Sequence, residues 1–273
     1  MTRFVSPANN QLMKRTLTIG YGALSYLIFL VAFGYAVGFA GAILLPRTVN
    51  NGITAPLWQA MPINLALLGL FGVQHSVMAR PAFKRWWTRW VPATIERSTY
   101  VLLASAVLLL LYWQWRAMPG QVWEVRQPAG RWAIWALFWL GWAIVLSSTF
   151  MINHFDLFGL RQVYLAWQGK PYRELGFRTH LLYRVVRHPL MLGFLVAFWA
   201  APTMTAGHLL FSVGITAYIL VALQLEERDL TAHLGERYRD YQRRVPMLIP
   251  HSRRGACPVS ADVQRHHQPS ARG

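Results

Sequence analysis

Four long apolar runs, and a fifth too long for one helix, constrain this chain more than any other feature of its sequence. They lie near residues 16–45, 57–78, 99–115 and 132–152, and the last covers residues 190–225. A helix needs about 20 mostly apolar residues to cross a bilayer, and lipid offers no partner for an unpaired backbone N–H or C=O. Membrane-crossing helices are the expected fold. Composition agrees, since 55% of the 273 residues are hydrophobic and 14% charged, against about 25% charged in soluble domains. The fifth region is broken by Ala201-Pro202-Thr203 and by Gly207, and proline removes a helix hydrogen bond, so it is expected to turn back as a hairpin. The predicted fold is an all-α polytopic membrane protein of about four transmembrane helices plus a C-terminal helical hairpin, five or six membrane segments in all.

Charge sets the orientation. The formal net charge is +17; with the N-terminus inside, 23 of the 27 Lys and Arg fall in inner segments and 4 in outer ones. Basic residues accumulate on the cytoplasmic side, so both termini are expected there, after an even number of crossings. The first apolar run is too long, and too far from a small-residue cleavage site, to be a removable signal peptide. A multi-pass protein of the bacterial inner membrane is expected. Membrane lipid is its expected partner, whereas no nucleic-acid motif accompanies the charge and no obligate protein partner is inferred. A single cysteine, Cys257, excludes an intramolecular disulfide and a cysteine-based metal cluster, and no metal is expected. Gly34 and Gly38 have the small-xxx-small spacing that lets a neighbouring helix approach closely. Tryptophans 86, 87 and 90 among Arg and Lys suit interfacial anchoring. Residues 1–251 are expected to form one domain, with a disordered basic tail at 252–273.

The chemistry-bearing residues gather at the inner ends of these runs. The second run ends in Gln74-His75-Ser76, the fourth in Asn153-His154-Phe155-Asp156, and the hairpin is bounded by Arg187-His188-Pro189 and by Glu226-Glu227. Polar groups at such depth are costly and usually face the bundle or a wet cavity. His75 has two readings, a hydrogen bond to a neighbouring helix or a place in a site; Asn153 is a cap or a site residue. Pro189 suits a first helical position. After the carboxylates, Leu230, Leu234, Tyr238 and Tyr241 form one face of an amphipathic helix expected along the inner surface. Paired carboxylates beside Arg and His suit a zwitterionic, polyhydroxylated ligand. No soluble nucleotide-binding fingerprint is present.

The ordered set Arg187-His188-Pro189-x-x-x-Gly193, Glu226-Glu227, Leu230, Gly235, Tyr238, Tyr241 and Val245-Pro246-x-Leu248-Ile249-Pro250 resembles the C-terminal signature of the isoprenylcysteine carboxyl methyltransferase superfamily. Met191 departs from it, standing where many members have Tyr. The stretches Gln74-His75-Ser76-x-Met78-Ala79-Arg80 and 153–160 look like the nurim-related branch, and most like its bacterial methanethiol S-methyltransferases. That resemblance implies S-adenosylmethionine as cofactor, held within residues 180–250 by Arg187, His188, Pro189, Gly193, Glu226, Glu227, Tyr238 and Tyr241. It implies a small volatile thiol as substrate, near Gln74 and Asn153. His75, or His154 oriented by Asp156, would take the thiol proton; Arg187 or His188 would hold the cofactor carboxylate, and the glutamates its ribose or amino groups. A different thiol, amine or lipid acceptor is one alternative. The other is a haem protein ligated by two histidines, His75 with His154 or His188.

Overall fold

The computed structural model describes residues 7–175 and 180–250; the expected tail, with Cys257, lies outside them. The first half contains α1 (Pro7–Gly41), β1 (Ile53–Thr54), α2 (Leu57–Ala79), α3 (Pro81–Trp87), α4 (Ala93–Gln114), β2 (Arg116–Ala117) and β3 (Gln121–Glu124). The second half contains α5 (Pro128–Ile152), α6 (His154–Leu157), α7 (Leu160–Trp167), α8 (Pro189–Trp199), β4 (Thr203–Thr205), α9 (Ala206–Leu234) and α10 (Glu236–Arg244). Among the described residues, five helices are long and apolar enough to cross a membrane: α1, α2, α4, α5 and α9. At most 39% of the most apolar window of any of them is buried, so most of their apolar surface faces outward, as lipid requires. The chain is an all-α polytopic membrane protein.

Two short sheets sort the ends of the helices. β1 pairs with β2 in parallel, and β3 with β4 antiparallel, so the connections after α1, α4 and α8 meet at one end. The buried amide of Asn64 clamps the backbone of Arg116 there, through two contacts of 2.9 Å, and Trp115 Nε1 donates to the Val49 carbonyl. The largest buried cluster runs from this end, with Phe39, Leu111, Phe138, Trp142, Phe198 and Phe211, to Leu223 and Leu248 at the other. α3, α6, α7 and α10 lie at the opposite, inner end with the basic residues.

The hairpin is asymmetric. α8 has 11 residues, a rise of about 16 Å, roughly half of a bilayer core. Extended residues 200–205 complete that arm and reach the outer loop, where Val125 N–H donates to the Pro202 carbonyl. α9 has 29 residues, about 43 Å, and runs past the hydrocarbon at its inner end. Both ends of the hairpin return to the same end of the bundle, where Arg187 meets Glu227.

α8 is held against α5 by two glycines. A Cβ on Gly141 would meet the Ala197 nitrogen at 2.6 Å, and one on Gly193 the Gly141 carbonyl at 2.7 Å. The close approach expected of Gly34 and Gly38 is not made by another helix: Gly38 is covered by Leu45 of the turn that follows, and nothing lies within 4 Å of a Cβ on Gly34. The single amphipathic surface helix is also corrected. The helix breaks at Gly235, whose φ is +58°, and α10 folds back so that Leu230 and Leu234 pack on Tyr238, Tyr241 and Val245. The apolar face is the expected one, but it closes on itself instead of on lipid.

Candidate functional site

The two mouths of the hairpin meet. Arg187 and Glu227, 40 positions apart, form a two-pronged ion pair, Nε to Oε1 at 2.6 Å and Nη2 to Oε2 at 3.0 Å. His188 Nε2 lies 3.0 Å from the same carboxylate, and Gln242 Nε2 donates to it at 3.0 Å. Arg187 Nη1 donates to the carbonyls of Gln242 and Val245. The backbone N–H groups of Arg187 and His188 donate to the Pro246 and Met247 carbonyls, which explains why the extended 245–250 segment follows α10. Pro189 takes the first position of α8. Tyr238 and Tyr241 are buried beneath, with the Tyr241 hydroxyl donating to the Tyr183 carbonyl. Burial raises the phenols of Tyr183 and Tyr238 and pushes that of Tyr241 up to about 12, so none of them acts as a base near neutrality.

This arrangement revises the expected roles of two residues. Four of the five N–H donors of Arg187 are taken by the protein itself, so it braces the hairpin and has little left for a ligand carboxylate. Gly193 sits at the crossing with α5, which accounts for a glycine without a ligand. Glu226 is different: its side chain is 47% exposed, and its ion-pair partner among the described residues, His188 Nδ1, is 3.9 Å away. A groove of about 520 Å³ opens between α9 and α10 on the Glu227 face of α9, lined among others by Gln224, Glu227, Arg228, Thr231 and Gln242; Glu226 lies on another face of the helix. An available carboxylate at the inner end of α9 suits a charged ligand rich in hydroxyls.

His75 lies on the α2 face that meets α4 and α9. Its ring stacks on Phe71 at 5.2 Å, and the Tyr100 hydroxyl is 2.9 Å from Nε2. Tyr218 of α9 approaches edge-on at 6.4 Å, close against Gly72, where a Cβ would touch its ring at 3.0 Å. Ser76 is within hydrogen-bonding reach of the Tyr218 hydroxyl. Below, Arg80 pairs with Asp229 at 2.8 Å and ties the end of α2 to α9. Gln74 donates to the Met78 sulfur, while its carbonyl oxygen is buried without a hydrogen-bond partner among the described residues.

His154 has a separate setting. Tyr26 of α1 holds Nε2 at 2.6 Å and Thr149 of α5 holds Nδ1 at 2.9 Å, while Phe150 stacks on the ring at 4.5 Å. Burial pulls its pKa below the ordinary histidine value, so the ring is neutral near pH 7. Asp156 does not orient it. That carboxylate accepts from Arg161 at 2.9 Å and from Tyr172 at 3.3 Å. Asn153 is a cap: its side chain accepts from the Asp156 N–H at the α5–α6 break. His154 and Asp156 thus join α1, α5 and α7 into a frame, and the two ring nitrogens of His154 are already occupied. Haem ligation by His75 with His154 has no geometric support here.

This end of the bundle therefore holds two parts: the glutamate cluster on α8–α10 and the His75 cluster across α2, α4 and α9. Tyr100, Tyr218 and Gln242 complete them, as Tyr26 and Thr149 complete the His154 frame, and carried no signal beyond being polar groups near apolar segments. A carboxylate-lined groove and a half-buried imidazole in an aromatic wall can hold a charged cofactor and accept a proton from an apolar acceptor.

A family model described as NnrU protein matches residues 64–250. The chain is 74% identical to the methanethiol S-methyltransferase of Mycobacterium tuberculosis, over 87% of this chain and 98% of that protein. It is 57% identical to methanethiol S-methyltransferase 2 of Bradyrhizobium diazoefficiens, over 84% of this chain and 88% of that one. Nurim of Rattus norvegicus is 34% identical over 61% of this chain and 66% of its own length. No solved structure matches the chain.

Proposed function

This chain belongs to the NnrU protein family, and from that premise we propose that it is a membrane thiol S-methyltransferase that converts methanethiol to dimethyl sulfide at the inner face of the membrane. The observation that carries this is the 74% identity to a methanethiol S-methyltransferase along nearly all of that protein. A haem role is not favoured, because the histidines it would use stand in separate, already hydrogen-bonded settings. Methanethiol is small and apolar, and it can enter from lipid into the aromatic wall around His75.

S-adenosylmethionine is the proposed methyl donor; when bound it supplies an electrophilic methyl group on a sulfonium. Glu226, half-exposed and weakly engaged, is the residue proposed to take a ribose hydroxyl or the ammonium group; the groove lined by Gln224, Arg228 and Thr231 lies on the Glu227 face of α9. Glu227, Arg187, His188, Pro189, Gly193, Tyr238 and Tyr241 build the wall that holds Glu226 in place. Residues 180–250 are the proposed cofactor part of a single domain spanning 1–251, in the bacterial inner membrane.

The acceptor half is assigned to α2 and its neighbours. A thiol with a pKa of about 8.5 is mostly protonated near neutrality, whereas the thiolate is the nucleophile. His75 is the proposed proton acceptor, and Phe71 and Tyr218 exclude water around it. Gln74 contributes a buried carbonyl beside this wall, without a hydrogen-bond partner among the described residues, a suitable contact for a thiol S–H. His154 and Asp156 are assigned to framing the site, and Asn153 to the break that turns the chain into it.

The test is purified protein in detergent, given methanethiol and S-adenosylmethionine. Dimethyl sulfide accumulates in the headspace if the proposal holds; a headspace no richer than the protein-free control contradicts it.

A further inference from the structure

The fold brings to His75 a partner from another helix, 25 positions away in the chain. Tyr100 is 9% exposed, and its hydroxyl lies 2.9 Å from His75 Nε2 and 3.1 Å from Nδ1. Near-equal distances to the two nitrogens place the oxygen over the imidazole, close to either one. Phe71 covers one face of the imidazole and Tyr218 meets it edge-on, so the ring has little freedom to turn. Arg97, one turn earlier on α4, places its guanidinium 5.9 Å from the Tyr100 ring centroid and so helps to fix that ring.

Resting on the proposed role of His75, we propose that Tyr100 is a positioning residue for methyl transfer, whose hydroxyl fixes the imidazole so that one nitrogen is presented to the acceptor thiol. The proton balance shows why a hydroxyl suits the task. Methylating a neutral thiol with a cationic donor leaves two neutral thioethers and one proton. The S–H bond breaks, its electron pair stays on sulfur, and the proton goes to an imidazole nitrogen. Before that step the nitrogen facing the thiol carries the lone pair and the other carries N–H, so the neighbour of the other must accept; afterwards both nitrogens are donors and it accepts still. A tyrosine hydroxyl oxygen accepts in both states, whereas phenylalanine cannot.

The test compares two acceptors of similar size and different acidity. Methanethiol depends on a base, whereas 2,2,2-trifluoroethanethiol, acidified by its fluorines, is far more ionised at neutral pH and depends on it less. Tyr100→Phe is expected to lower kcat with methanethiol about tenfold, with the KM for S-adenosylmethionine unchanged, and to lower the rate with the fluorinated thiol less than about threefold. Nitrogen NMR of ring-labelled histidine, without donor or thiol, is expected to show the His75 signals, identified by their loss in His75→Gln, moving from one tautomer toward a mixture. Equal losses with both thiols and an unchanged His75 spectrum would mark Tyr100 as packing alone and overturn the inference. Should Tyr100→Phe not accumulate, 3-fluorotyrosine at position 100 keeps the shape and the hydroxyl; a rate changed at least about twofold for methanethiol only supports the role, and parallel changes overturn it. His75→Gln separates the two levels. If it, too, affects both thiols equally, the assignment of His75 as base fails; if it discriminates between them and Tyr100→Phe does not, only the role of Tyr100 fails.

Discussion

Glu226 and Glu227 are adjacent in the chain and differ in what they do. Glu227 neutralises Arg187 and binds His188 and Gln242, with only 14% of its side chain exposed. Removing one partner of a buried pair leaves an uncompensated charge, so Glu227→Gln is predicted to destabilise the protein by about 3 kcal/mol, seen as a lower melting temperature in detergent. Glu226→Gln is predicted to leave the melting temperature within about 1 °C, since it loses only a 3.9 Å contact. It raises the KM for S-adenosylmethionine about tenfold, the effect of losing one charge-assisted hydrogen bond. The pair was visible in the sequence as two neighbouring acids; which one is engaged and which is available follows from α9 turning about 100° per residue and presenting Glu227 to Arg187. For the same reason Asp156 and His154 looked like a catalytic pair: they are two positions apart, yet the α5–α6 break points them at different neighbours.

His154 adds a pH dependence whose sign follows from its burial. Its folded pKa lies below the ordinary value of about 6.5, so below that pH the unfolded chain binds a proton that the folded chain excludes. Folding stability is therefore lost as pH falls through about 6.5 toward the folded value, and is flat in this respect above it. The melting-temperature gap between wild type and His154→Gln is predicted to narrow between about pH 7 and pH 5; a constant gap would show that the ring is not held neutral.

At the scale of elements, hydropathy was enough to find the spans, because a run of about 20 apolar residues has one stable solution in lipid. Contacts between helices were less legible. Gly34 and Gly38 had the spacing of a packing motif, whereas the close crossing is made by Gly141 and Gly193, which are single glycines on different helices and share no local pattern. Gly193→Ala is predicted to destabilise by about 1–3 kcal/mol or more, because the new Cβ meets the Gly141 carbonyl at 2.7 Å. Gly34→Ala is predicted to be neutral or slightly stabilising, since nothing lies within 4 Å and alanine is the better helix former. Thermal unfolding of the two variants side by side checks both. The surface helix after the carboxylates was legible as an apolar face but not as a fold-back, because the left-handed φ at Gly235 decides the direction of α10 and periodicity is silent on it.

For the whole molecule, the pairing of the loops at one end and of the hairpin mouths at the other gathers the residues that carry chemistry at a single end, the end that the asymmetry of Lys and Arg predicts to be the inner one. A cysteine introduced at Gly52, in the outer loop, is predicted to react with a membrane-impermeant maleimide in intact cells, in a background where Cys257 is replaced. One introduced at Gly169, in the inner turn after α7, is predicted to react only after the membrane is opened. Orientation could be read from composition because charge sorting is a sum over many residues. The meeting of Arg187 with Glu227, or of His75 with Tyr100, depends on which helix faces which, and one chain without its fold does not hold that information.

The union of a donor half on the C-terminal hairpin with an acceptor half around His75 is tested most directly by following the methyl group itself. Purified protein is given methanethiol and S-adenosylmethionine whose transferable methyl carries deuterium, and the headspace is read by mass spectrometry. Dimethyl sulfide bearing one labelled methyl, at a rate that collapses in His75→Gln and in Glu226→Gln at low cofactor concentration, is the predicted result. Unlabelled dimethyl sulfide, no product, or full activity in both variants would contradict it.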